Sequence, residues 1–310
     1  MKFMVFRSGS GTAVAALKGA VPAGGGLAGV RAVNVSQAMP EIGSDLQILA
    51  QSGPRRLVEI GAMIDAGEAT LDAGELRQAL PVARPGKVIC LGLNYAGHAR
   101  EGGHEVPTYP GLFMRATTSL IAAGEPMVRP QVSDKFDFEA ELMLIIGKRG
   151  RQISEAAALD HVFGYTIFND GSVRDFQRKS SQWTPGKNFD GTGPVGPVVV
   201  TPDEVPPGAE GLRILSRLDG EIMQDSNTSD MIFPVARTIA IVSEFTTLEP
   251  GDLIAMGTPQ GVGYARTPPV FMKPGQTIEI EIEGIGVLAN PVVAEEDLVA
   301  SRSGAEGTAA

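Results

Sequence analysis

Apolar and polar positions alternate most regularly at Phe136-Asp-Phe-Glu-Ala-Glu-Leu-Met-Leu-Ile-Ile-Gly147, where Phe138, Ala140, Leu142, Leu144 and Ile146 interleave with Glu139 and Glu141. A period of two is that of a β-strand. On a strand the two carboxylates share one face, whereas a helix would turn them about 200° apart. Like charges side by side are costly unless a cation or solvent screens them. Taken alone, an exposed acidic strand face is the simpler reading. The apolar run Met143-Leu-Ile-Ile146 that follows directly implies burial of both faces, and buried paired carboxylates call for a partner.

Pro-Gly pairs precede apolar runs at Arg84-Pro-Gly-Lys-Val-Ile, Glu249-Pro-Gly-Asp-Leu-Ile and Lys273-Pro-Gly-Gln-Thr-Ile. Each is a turn signal that predicts a strand behind it. Their irregular spacing excludes a solenoid or propeller. Further strands are predicted at 139–147, 165–169 and 195–201, and a helix at 234–245. Strands dominate without regular strand–helix alternation, so a mixed or antiparallel sheet fits better than a doubly wound one. Residues 1–80 carry a short apolar start, a glycine loop at 23–27 and a helical stretch at 45–64, read as a small N-terminal domain. Neither Gly9-Ser-Gly11 nor Gly24-Gly-Gly26 has the spacing of a phosphate loop. The small, polar segment 294–310 is expected to be a disordered tail.

Composition narrows the class. The 310 residues are 43% hydrophobic and 20% charged, with mean hydropathy +0.06, as in an ordinary globular protein. No apolar run reaches bilayer length, so no membrane partner is expected. The opening MKFMVFRSGS lacks a signal-peptide core, which leads to the expectation of a cytoplasmic protein. Net charge is -10, which argues against a nucleic-acid partner in the absence of any Lys/Arg cluster. The single cysteine, Cys90, allows no internal disulfide and sits in an apolar run, where a buried strand residue is favoured over a nucleophile.

Candidate chemistry lies elsewhere. Asp170 falls where a predicted strand turns into a helix, in Ile167-Phe-Asn-Asp-Gly-Ser-Val-Arg-Asp-Phe-Gln177. By itself it reads as a cap or turn aspartate. The short helix behind it places Arg174 and Gln177 on one face, with a solvated surface as the plain alternative. An all-oxygen set of carboxylates suits magnesium, manganese or calcium. Only three histidines occur, His98, His104 and His161, without zinc spacing. A helical turn would pair His98 with Glu101, an arrangement that orients an imidazole as a general base near neutral pH. Glycines flank that segment, as in a lid. Lys187 is the only lysine of the Gly/Pro-rich loop 182–190, and a solvated lysine is its simplest reading. No G-x-S-x-G elbow is present.

The strings CLGLNYAGHARE, FDFEAEL, NDGSVRDFQ, WTPGKNFDGTGPVGP and AMGTPQGVG, in that order, resemble the fumarylacetoacetate hydrolase family over about residues 85 to 292. The chain also looks like that family's acylpyruvate hydrolase branch. The resemblance implies an α+β fold with a mixed β-roll, a small N-terminal domain and assembly as a homodimer. It places Glu139, Glu141 and Asp170 on magnesium ligands and His98 with Glu101 on a water-activating lid dyad. Arg174, Gln177 and Lys187 match groups that hold substrate and stabilise its oxyanion, and Thr258 matches a substrate contact near the metal. The implied activity is magnesium-dependent cleavage of a carbon–carbon bond in a 2,4-diketo acid, an acylpyruvate such as fumarylpyruvate from aromatic catabolism, giving pyruvate and an acid. Oxaloacetate decarboxylation, or isomerisation and hydration of a 2-oxo-dienoate, would use the same metal-enolate site. A non-catalytic oxo-acid binder ranks last. Many members carry lysine where this chain has Arg115. Arginine keeps the charge but not the geometry, and the change is expected to bear on the substrate's distal end, not on the metal site.

Overall fold

The structure, a computed structural model, describes residues 1–22 and 24–298 of the chain. The acidic-apolar stretch forms the strand Ala140–Ile146, buried along its whole length. Its two faces feed two cores. Leu142, Leu144 and Ile146 pack with Tyr165, Ile167 and Ile254. Met143 and Ile145 pack with Val88, Cys90 and Val199. This double burial accounts for the loss of alternation after Glu141, since a strand covered on both sides reads as a continuous apolar run.

That strand lies in a mixed twelve-stranded sheet whose main path runs Leu71–Asp72, Arg31–Asn34, Gly11–Leu17, Lys2–Ser8, Gly193–Val200, Val162–Asn169, Ala140–Ile146, Leu253–Ala255, Val88–Gly92, Gly111–Met114. Most neighbours are antiparallel. Leu253–Ala255 runs parallel to Val88–Gly92, and Leu120–Ala122 parallel to Gly193–Val200. A second, five-stranded sheet contains Thr277–Ile282, where Ile278, Ile280 and Ile282 alternate inward with more exposed partners. Each Pro-Gly turn does launch a strand, at Val88–Gly92, Leu253–Ala255 and Thr277–Ile282. Cys90 is fully buried in the first of these. The helix Val235–Phe245 forms as expected, and no helix among the described residues is long and apolar enough to cross a membrane.

Three local features bear on the expected boundaries. The helical stretch at 45–64 is two helices, Leu46–Gln51 and Pro54–Asp65. Gly53, at φ 73, and the proline after it interrupt the path between them. Residues 1–80 are tied to the rest of the chain by shared structure: Lys2 pairs with Val200 and Phe3 with Val199, and Phe3, Val5 and Val14 share a core with Cys90 and Met143. The expected tail begins too early, because Gly286–Ala294 is a strand whose last residue pairs with Arg129 and 295–298 are helical. Its remainder, 299–310, lies outside the described residues.

Candidate metal centre and its cavity

The antiparallel pairing of Ala140 with Asn169 sets the start of one strand beside the end of the next. Backbone bonds fix the junction: the Glu139 N–H donates to Asn169 Oδ1 at 2.9 Å, and the Asp170 N–H donates to the Glu139 carbonyl at 3.0 Å. Glu139 and Asp170, distant in sequence, are thereby neighbours, and Glu141 follows by strand period. One oxygen from each of the three carboxylates lies within 4.8 Å of the others. All three residues are buried, at 4%, 1% and 0% exposure for Glu139, Glu141 and Asp170.

Cations compensate these charges unevenly. Lys187 Nζ donates to Glu139 Oε2 and Asp170 Oδ2, both at 2.6 Å. Arg174 reaches Glu139 Oε1 at 2.6 Å and Asp137 Oδ2 at 2.7 Å, and Arg115 pairs with Asp170. Glu141 has no ion pair among the described residues and accepts the Gly257 N–H at 3.0 Å. Burial would raise the Glu139 pKa, but Arg174, Lys187 and His98 outweigh it and hold the carboxyl well below its ordinary range. Burial, then the charges of Asp170 and Glu139, push Glu141 well above it. Burial acts to lower the Lys187 pKa, yet Asp170 and Glu139 leave it raised. A divalent cation would supply the missing partner for Glu141 while contacting Glu139 and Asp170. The donors are all oxygen, the chemistry of magnesium, manganese or calcium. The three residues therefore fit a hard divalent ion without selecting one.

A cavity of about 310 Å³ opens onto this cluster, lined by His98, Glu139, Glu141, Arg174, Gln177, Lys187 and Thr258 among others. Asp170 and Glu101 are not among its lining residues and connect to it through Lys187 and His98. His98 Nδ1 lies 2.8 Å from Glu101 Oε1, and the other Glu101 oxygen accepts the Gly261 N–H at 2.8 Å. Arg174 donates through one terminal nitrogen to Gln177 Oε1 at 3.0 Å, while its other terminal nitrogen is buried without a partner. Lys187 ends the short helix Thr184–Lys187, which crowds against the helix Arg174–Gln177. A Cβ on Gly186 would stand 2.4 Å from the Gln177 nitrogen, so only glycine permits the approach that brings Lys187 to the carboxylates.

Arg115 differs from expectation. It is 3% exposed and does not line the cavity. It donates to Ser119 Oγ at 3.1 Å, the Gly171 carbonyl at 3.2 Å and Thr192 Oγ1 at 2.7 Å, besides pairing with Asp170. The guanidinium pairs with a carboxylate of the cluster and is not among the lining residues of the cavity, where the expected effect on a substrate's distal end would have to be felt. Other residues escape sequence reasoning. Asp137 holds Arg174 and accepts the N–H groups of Gly263 and Tyr264 at 2.8 and 3.0 Å. It extends the period-two series of Glu139 and Glu141 by one step, a signal the sequence does carry. Gln224, which donates to Thr258 Oγ1 at 2.8 Å and accepts the Ala140 N–H at 3.0 Å, has no such signature.

The chain is similar in sequence and fold to known proteins. Residues 87–293 match the family model described as the C-terminal domain of fumarylacetoacetate hydrolase. The chain is 41% identical over 267 residues to the mitochondrial oxaloacetate tautomerase FAHD2A of Bos taurus, covering 80% of this chain and 83% of the relative. It superposes on a fumarylacetoacetate hydrolase from the psychrophilic Exiguobacterium antarcticum with TM-score 0.79 at 33% identity, covering 95% of this chain and 100% of that one. Maleylpyruvate hydrolase from Sphingobium sp. SYK-6 gives TM-score 0.77 at 28% identity, with 95% and 100% covered. The sheet order, the carboxylate cluster and the family match over most of the chain lead to one assignment: this chain belongs to the fumarylacetoacetate hydrolase family.

Proposed function

We propose that this enzyme interconverts the keto and enol forms of a 2-oxo acid, with oxaloacetate as the substrate to test first and magnesium as the first ion. The observation that carries the proposal is the juxtaposition, in one small cavity, of the carboxylate cluster with the His98–Glu101 pair. A cation site beside a positioned base is what proton transfer next to a carbonyl requires. The choice of proton transfer over carbon–carbon cleavage draws support from the oxaloacetate tautomerase likeness.

A divalent ion held by Glu139, Glu141 and Asp170 would polarise the 2-oxo group and stabilise negative charge developing on its oxygen. The chain's own residues supply the rest. The unpartnered nitrogen of Arg174 offers a donor to the substrate's C1 carboxylate. With Nδ1 protonated and donating to Glu101, His98 presents Nε2 as the base. His98 takes the proton from C3 as the C3–H bond breaks, and a proton returned to the 2-oxygen completes the enol; the reverse passage restores the ketone. Glu101, fixed by the Gly261 N–H, stabilises the imidazolium that forms in between. Gln177 and Lys187 stand where they can donate to oxygen atoms of the substrate.

The second reading is hydrolysis of an acylpyruvate, in which the same His98–Glu101 pair would deprotonate water instead. The likeness to maleylpyruvate hydrolase favours it. Assaying oxaloacetate enol–keto exchange, oxaloacetate decarboxylation and acetylpyruvate or fumarylpyruvate cleavage, with magnesium and with EDTA, separates the two. Metal-dependent exchange without cleavage is expected. Cleavage of a diketo acid with no effect on exchange would replace the proposal by its rival.

A further inference from the structure

Two of the three Arg and Lys side chains that line the cavity are committed to carboxylates: Arg174 to Asp137 and Glu139, Lys187 to Glu139 and Asp170. The third, Arg178, is exposed and makes no ion pair or side-chain hydrogen bond among the described residues. It is nonetheless held in place. Its guanidinium lies over the ring of Tyr264 at 4.7 Å from the centroid, and Arg174 lies over the same ring at 4.5 Å. The Tyr264 N–H is anchored at 3.0 Å on Asp137 Oδ2, the same oxygen that takes Arg174 Nε. One buried carboxylate thus fixes both the ring and the inner guanidinium, and the ring presents the outer one.

Stacking on a ring uses the face of a guanidinium and leaves its in-plane N–H fork free for a carboxylate. A substrate whose 2-oxo acid end sits at Arg174 and the carboxylate cluster would meet, in the rest of the lining, one cation not already paired with a carboxylate, Arg178. We infer that Arg178, presented by Tyr264, binds the distal carboxylate of a dicarboxylic 2-oxo acid and makes the enzyme prefer diacids over uncharged analogues of the same length. The inference rests on the proposed 2-oxo acid chemistry and names the substrate class of that site.

The test compares oxaloacetate with its 4-methyl ester in the wild type, Arg178→Gln and Arg178→Lys. Arg178→Gln should lower kcat/KM for oxaloacetate about 10- to 100-fold, the range of a charge-assisted hydrogen bond. The loss should appear in KM, with kcat and all constants for the ester nearly unchanged, and Arg178→Lys should recover part of it. Equal losses on both compounds, or none on the diacid, would overturn the assignment. Binding of both compounds in the presence of magnesium is measured in parallel. A wild type that turns over neither compound removes the proposed function, and the binding ratio still decides on Arg178: weaker oxaloacetate binding by Arg178→Gln with unchanged ester binding supports it, and unchanged oxaloacetate binding refutes it.

Discussion

The ammonium of Lys187 lies 2.6 Å from Oε2 of Glu139, and it bonds Asp170 at the same distance. One buried monocation is shared between two of the three carboxylates proposed to hold a dication. Replacing Lys187 by Met should therefore destabilise the metal-free protein by about 3–5 kcal/mol, as for any buried charge stripped of its partner. Added magnesium should then raise the melting temperature of the variant more than that of the wild type. An apo variant as stable as the wild type would show that the ammonium does not compensate this cluster.

Arg115 makes the next prediction. Its links to Ser119, Thr192, Gly171 and Asp170 need a planar fork, which lysine lacks. Arg115→Lys should weaken divalent-ion affinity about tenfold, or about 1.4 kcal/mol, by calorimetric titration. The ratio of kcat/KM between oxaloacetate and its 4-methyl ester should stay as in the wild type. A changed ratio with unchanged metal affinity would return Arg115 to the distal end of the substrate.

These residues show what was legible in the sequence. Glu139 and Glu141 could be placed on one face because strand period is local. Asp170 could not be joined to them by pattern, since its approach depends on the register that sets Ala140 against Asn169; the ordered motifs supplied it. The pairing of Arg115 with Asp170 is hidden from local pattern for the same reason, the two being far apart along the chain. Lys2 pairing with Val200 is another contact of long range that no local period reveals. Arg178 reads as an ordinary surface residue until Tyr264 is brought beneath it.

Gly257 carries a third test. It holds φ at +83°, and a Cβ there would meet Asn94 Cβ at 2.8 Å and the Leu91 carbonyl at 3.0 Å. Its N–H also anchors Glu141. Gly257→Ala should cost about 1–3 kcal/mol in urea unfolding and weaken metal binding as well. Loss of neither would mean that the turn relaxes without moving Glu141.

Cys90 provides a probe of the core packed behind the site. Burial raises its thiol pKa, and the charges of Asp170 and Glu141 add to the rise. Since the thiolate is the reactive form, the native protein should resist thiol reagents near neutral pH and react as a free cysteine once unfolded in urea. Rapid labelling of the native state would contradict the packing of Val88–Gly92.

On the proposed function, Glu139, Glu141 and Asp170 hold a divalent ion on which the activity depends. Glu141 is the direct place to test it, being the one carboxylate of the three without an ion pair among the described residues. The measurement is oxaloacetate enol–keto exchange, followed by ultraviolet absorbance, for the wild type and Glu141→Gln with magnesium and with EDTA, each protein checked for folding by circular dichroism. In the wild type EDTA should abolish exchange and magnesium restore it, and the variant should stay folded but no longer respond to magnesium. Exchange that survives EDTA in the wild type, or a variant as active and as metal-responsive as the wild type, would contradict it.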